Sequence, residues 1–80
     1  MRKVTFKHIG TVLYGKSWSA ELAEDFGVEP GTVRNWANIE SKLSPPVYAA
    51  RVMLSAARRR AEQIDQVVRT LEQEEEKVNR

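Results

Sequence analysis

The chain of 80 residues carries 13 Lys and Arg against 11 Asp and Glu, a net charge of +2, with one histidine and no cysteine. That length predicts one domain with at most an appended element, and the composition excludes disulfides, thiolate metal sites and a histidine-rich metal centre. No apolar run approaches the roughly 18 to 20 residues of a membrane span, and the basic start "MRKVTFKHIG" lacks an apolar signal core, so a cytoplasmic protein without membrane or metal partners is expected.

In chain order, a first helix is predicted over residues 5–14, with Thr5 as N-cap and Phe6, Ile9 and Leu13 at helical spacing. Gly10 inside it costs about 1 kcal/mol of helix propensity. Gly15 suits a left-handed C-terminal cap. A second helix is predicted over 18–26 with Ser17 as N-cap, closed by Gly27. A third covers 30–37. Glu29 takes its N-cap and Pro30 its first position, where the missing N–H is not needed. Ser44 is expected to cap a fourth helix with Pro45 at its first position. No glycine or proline follows Pro46, so this helix is expected to reach about residue 76 and to fray at its end. Nothing alternates at period two, and the fold class expected is all-α.

Residues 19–38, "SAELAEDFGVEPGTVRNWAN", form the most informative unit. Leu22 and Phe26 share one face of the second helix, and Val33 and Trp36 one face of the third. Ala23 leaves room for a close helix crossing, and Gly27 allows the turn between the two helices. Val28 completes the apolar set. Two helices joined by a tight glycine-containing turn are the spacing of a helix-turn-helix. The stretch "LYGKSWSAELAEDFGVEPGTVRNWAN" resembles the helix-turn-helix of small phage and bacterial repressors of the Cro and lambda-repressor type. It is more closely similar to short prophage regulators with a "YG…W…LA…GV…TVRRWA" pattern. The resemblance spans roughly residues 9–60, with seven matching positions: Leu22, Ala23, Phe26, Gly27, Val28, Val33 and Trp36.

The resemblance implies a sequence-specific, double-stranded-DNA-binding transcriptional regulator, a repressor of a phage or prophage operon. An autorepressor encoded beside anti-CRISPR genes is one such niche. In a helix-turn-helix the second helix of the pair enters the major groove. With Val33 and Trp36 inward, the expected base-reading residues are Thr32, Arg34, Asn35 and Asn38. Arg suits guanine O6 and N7, and Asn suits adenine N6 and N7. A phosphate contact, or an internal pair with Glu29 or Asp25, is the alternative role for Arg34. Lys16, Ser17, Trp18 and Ser19 at the start of the second helix, and Lys42 beyond the third, are the expected phosphate contacts. Arg2 and Lys3 are further candidates for phosphate. Glu21, Glu24 and Asp25 should point away from DNA. His8 is expected to be a surface residue without a special role.

Bulk charge adds little. Residues 1–44 hold six Lys/Arg and five acids, and residues 45–80 seven and six. The fourth helix carries Val47, Leu54, Ala61 and Val68 seven apart, and Ala50, Ala57, Ile64 and Leu71 seven apart, the a/d pattern of a coiled coil. These eight residues are the predicted homodimer seam, in parallel or antiparallel order, with Val78 continuing the series and Glu75 interrupting it. A two-fold dimer implies an inverted-repeat operator with half-sites about 10 bp apart or a multiple of that. The domain division expected is a helix-turn-helix domain over 1–44 and a dimerisation helix over 45–80. No nucleophile–base pair, phosphate loop or metal set is visible, so neither an enzyme nor a cofactor is expected. A phage DNA-packaging component of the small-terminase kind, or a protein-interaction module, is the competing reading.

Overall fold

In the computed structural model, which describes residues 1–78, the chain is all-helical. Helix α1 spans Lys3–Tyr14, α2 Trp18–Phe26, α3 Pro30–Ala37 and α4 Ala49–Val78, with a 3-10 turn at Gly15–Ser17 between α1 and α2. Among the described residues there is no strand. The second and third helices take the bounds their sequence predicts.

The core joins one apolar face from each helix. Phe6, Leu22 and Val33 are fully buried, and Ala23, Trp36, Ala49 and Met53 complete the cluster. Phe26 and Val28 pack against it half-buried. Three rings from three helices meet at its centre. Phe26 and Trp36 lie 5.3 Å apart edge to face, and Phe6 sits 6.1 Å from each. Such pairs add about 0.5–1.5 kcal/mol each beyond the area they bury.

The turn between α2 and α3 is closed by backbone chemistry. Gly27 adopts φ 70°, ψ 36°, the left-handed conformation that costs glycine little. Its N–H donates to the Glu24 carbonyl at 3.2 Å and that of Val28 to the Ala23 carbonyl at 3.0 Å. These paired bonds satisfy carbonyls that the end of α2 would otherwise leave open.

Three boundaries differ from expectation. First, α1 begins at Lys3, with Arg2 at its N-cap and the Phe6 N–H donating to the Arg2 carbonyl at 2.9 Å. Thr5 is inside the helix. Tertiary contact sets this start, because the Lys3 ammonium reaches across to the end of α3. Second, Gly15 has a positive φ of 63° but ψ of −135°, outside the left-handed helical well, and leads straight into the 3-10 turn. Third, Ser44 does not cap α4. Each residue before a proline is pushed toward extended backbone, and the Pro45–Pro46 tandem does this twice. Pro45 is buried in the linker instead, and the first helical bonds run from Ala49 N–H to the Pro46 carbonyl and from Val52 N–H to the Tyr48 carbonyl. Val47 falls before the helix and is fully exposed. Residues 74–78 are helical, and the remainder of the frayed end expected from the sequence lies outside the described residues.

Helix α4 packs on α1 and α2 through Ala49, Met53 and Ala56. The first turns of the helix are therefore covered on this stripe, while Val47, Ala50 and Leu54 of the predicted dimer seam are exposed. Beyond Ala56 the helix runs on with no buried residue, and the molecule extends 59 Å along its long axis.

Gly10 explains how α1 and α2 come so close. A Cβ there would stand 2.8 Å from Leu22 Cδ1 and 3.3 Å from Trp18 Cε3. Gly10→Ala at an exposed helical site would gain about 1 kcal/mol. Here overpacking costs about 1–3 kcal/mol, and a net loss of about 1 kcal/mol is the expected outcome in urea denaturation.

Candidate nucleic-acid interface

Helix α3 is held by its inward side chains and capped by its neighbours. Glu29 occupies the N-cap with extended backbone, and its carbonyl accepts from the Thr32 N–H at 3.0 Å. Its carboxylate makes no capping bond to the helix. Pro30 takes the first position. A Cβ on Gly31 would meet nothing closer than an Arg34 guanidinium nitrogen at 3.7 Å, so this glycine is not demanded by packing. At the other end the Lys3 ammonium donates to the carbonyls of Asn35 and Trp36, both at 3.2 Å, and to that of Leu43. A cation on the last carbonyls opposes the negative end of the helix dipole. Lys3 is thus a structural clamp, and it is not on the flexible terminus where a phosphate contact was expected.

With Val33 and Trp36 buried, Arg34 and Asn35 are exposed and Thr32 is half-buried. Among the described residues no carboxylate pairs with Arg34. Of its two expected internal partners, Glu29 makes no salt bridge among the described residues and Asp25 is paired with Arg59. Asn38 differs from the other three: it sits one residue past the helix, exposed, with its side-chain oxygen accepting the Glu40 N–H at 3.0 Å. That oxygen is engaged, so a two-bond adenine contact of the kind the sequence suggests falls to Asn35.

An open groove of about 710 Å³ runs between α1 and the end of α3. Arg34 lines it from α3 and Asn38 from just past that helix, Lys7, His8 and Thr11 from α1, and Trp18 from α2. The α1 residues are absent from the sequence-predicted set. Lys7 and Thr11 are one helical turn apart, and Thr11 Oγ1 donates to the Lys7 carbonyl at 2.8 Å. Spacing alone marks them as a shared helix face. That the face borders α3 follows only from how α1 crosses the core.

The predicted phosphate set is divided. Trp18 borders this groove, whereas Ser17 lies toward α4 in a second groove with Tyr14, Glu21, Arg59 and Arg60. The Trp18 N–H already donates to the Gly15 carbonyl, so the start of α2 offers fewer free donors than an isolated helix would. Lys16 is exposed in the 3-10 turn, Ser19 is half-buried in α2, and Lys42 is exposed in the segment after α3.

Two of the three acids of α2, Glu21 and Asp25, lie toward α4. Asp25 accepts from the Tyr14 hydroxyl at 2.6 Å and pairs with Arg59 at 3.0 Å, tying α1, α2 and α4 together. Arg59 therefore serves an internal pair. Among the described residues there is no grouping of His, Cys, Asp or Glu fit to hold a metal, and no helix long and apolar enough to cross a membrane. No protein-family description, curated protein or solved structure matches the sequence.

Partial burial pushes the Tyr14 hydroxyl above its ordinary 10.0, and its bond to the Asp25 carboxylate pushes the same way. A raised pKa in the folded state favours the protonated phenol. The stability this contributes is complete below the unfolded value and is lost as pH rises through the folded one. Comparing wild type with Tyr14→Phe by urea denaturation, the expected difference is constant from about pH 7 to 9 and shrinks above pH 10.

Proposed function

We propose that the chain is a sequence-specific regulator of transcription that binds double-stranded DNA through α3, as a homodimeric repressor on an inverted repeat. The observation that carries this reading is the division of α3 into two faces. Val33 and Trp36 are locked in the core, while Arg34 and Asn35 stand in solvent without a carboxylate partner among the described residues. An unpaired guanidinium beside an amide is the side-chain chemistry that reads guanine and adenine edges in the major groove. Thr32 at the first turn of α3 supplies a hydroxyl for a base edge or a phosphate.

The bordering groove suits a phosphate backbone. Lys7 and His8 contribute cationic or donor groups, and Asn38 its free amide nitrogen. Lys16 in the 3-10 turn and Lys42 after α3, both exposed, are further phosphate contacts in this reading. Contacts of this kind fix register without reading sequence. Bound to a promoter, a dimer of this size represses by excluding polymerase. A phage or prophage operon, including the chain's own, is the target we infer.

The test is a titration of labelled duplexes, beginning with the DNA upstream of the protein's own gene. Arg34→Ala is expected to weaken the cognate duplex by about 1–3 kcal/mol, roughly ten- to hundredfold in Kd, and to relax preference at one base pair. Lys7→Ala is expected to weaken all duplexes alike and to lower the dependence on salt. Absence of duplex binding at low salt, or unchanged binding in the doubly substituted Arg34→Ala, Asn35→Ala protein, would contradict the reading.

A further inference from the structure

The distal half of α4 presents an uncovered apolar strip. Ile64, Val67, Val68 and Leu71 are between 43% and 61% exposed. The elements that pack on α4 are α1, α2 and nothing further along among the described residues, and its buried positions end at Ala56. The domain covers the stripe of Ala49, Met53 and Ala56. The heptad stripe of Leu54, Ala57, Ala61, Ile64, Val68 and Leu71 lies about a quarter turn round the helix, at 3.6 residues per turn. It is therefore open to a second helix alongside the domain.

Charge along α4 is strongly polarised. Residues 51–60 hold Arg51, Arg58, Arg59 and Arg60 and no acid, while residues 61–78 hold six acids against Arg69 and Lys77. Arg59 is bound to Asp25, Asp65 to Arg69 and Glu74 to Lys77. Among the described residues Arg58, Arg60, Glu72 and Glu75 have no ion pair in their own chain.

We propose that the occupant of this strip is α4 of a second copy running antiparallel. In a register with Ile64 facing the partner's Val68, Ala61 faces the partner's Leu71 and Leu54 the partner's Val78. Small residues meet large ones, and the exposed Leu54 and Val78 are covered. Flanking this seam, Arg58 comes beside the partner's Glu72, and Arg60 beside the partner's Glu74. Glu75, which interrupts the heptads, lies against the partner's Ala57 near an arginine. Two-fold symmetry repeats each contact. A parallel pair places Glu75 against its own copy and the acidic ends side by side, a juxtaposition that like-charge repulsion disfavours.

This orientation deepens the homodimer of the preceding reading. At 1.5 Å per residue it sets the two domains about 40 Å apart along the pair, on the order of one turn of DNA. Its test involves no DNA, so its failure is distinguishable from failure of the DNA-binding reading.

The chain has no cysteine, so single cysteines report pairing directly. Under mild oxidation, Val67→Cys close to the two-fold axis is expected to link to itself. Leu71→Cys alone is expected not to link, and to link when mixed with Ala61→Cys. Sedimentation of the unsubstituted protein is expected to give a dimer that weakens with salt. Self-linking of Leu71→Cys without that of Val67→Cys overturns the orientation. A monomer, or an assembly larger than a dimer, overturns the occupant.

Discussion

Trp36 turns inward onto Phe26 and Phe6, and the orientation of α3 follows from that one contact. A helix of eight residues has little freedom once two of its side chains, Val33 and Trp36, are fixed in a close-packed core. Arg34 and Asn35 then have only solvent to face. Substituting the ring would cost more than buried area. It would release the rotational setting of α3, and with it the direction of every polar group on its outer face.

The charges are arranged around the same core. On α2, Asp25 meets Arg59 of α4 and the Tyr14 hydroxyl, and Glu21 borders a groove with Arg59 and Arg60. Lys3 is drawn to the carbonyl end of α3. Lys7 and His8 on α1 and Arg34 and Asn35 on α3 remain exposed without an ion pair among the described residues. The groove that Lys7, His8 and Arg34 border also exposes Val4 and Ile39, so its cationic groups stand beside apolar surface.

Much of this was legible in the sequence, for identifiable reasons. The second and third helices were readable because local rules and tertiary packing agree there. Gly27 stops α2, Pro30 starts α3, and Leu22, Ala23, Val33 and Trp36 repeat at helical spacing. The start of α4 was not legible from Pro45 alone, because Pro46 behind it holds Pro45 extended and moves the first helical bond to Ala49. The start of α1 was misread because the anchor of Lys3 lies more than thirty residues away, at Asn35 and Trp36. Of the candidate site, the exposure of Arg34 and Asn35 followed from periodicity. The engagement of the Asn38 oxygen by Glu40 and the groove formed with Lys7, His8 and Thr11 did not, since both depend on where the chain goes after α3 and how α1 crosses it. Gly10 looked like a weakness in a helix, and only packing against Leu22 and Trp18 gives it a purpose.

The most direct measurement of the central claim is amide-shift mapping of the isotopically labelled protein during titration with a mixed-sequence DNA duplex at low salt. The account requires the largest changes at Thr32, Arg34 and Asn35, with a second set at Lys7, His8 and Thr11, and little change at Glu21 and Asp25 on the α4 side. Changes confined to α4, or none at saturating duplex, would contradict it.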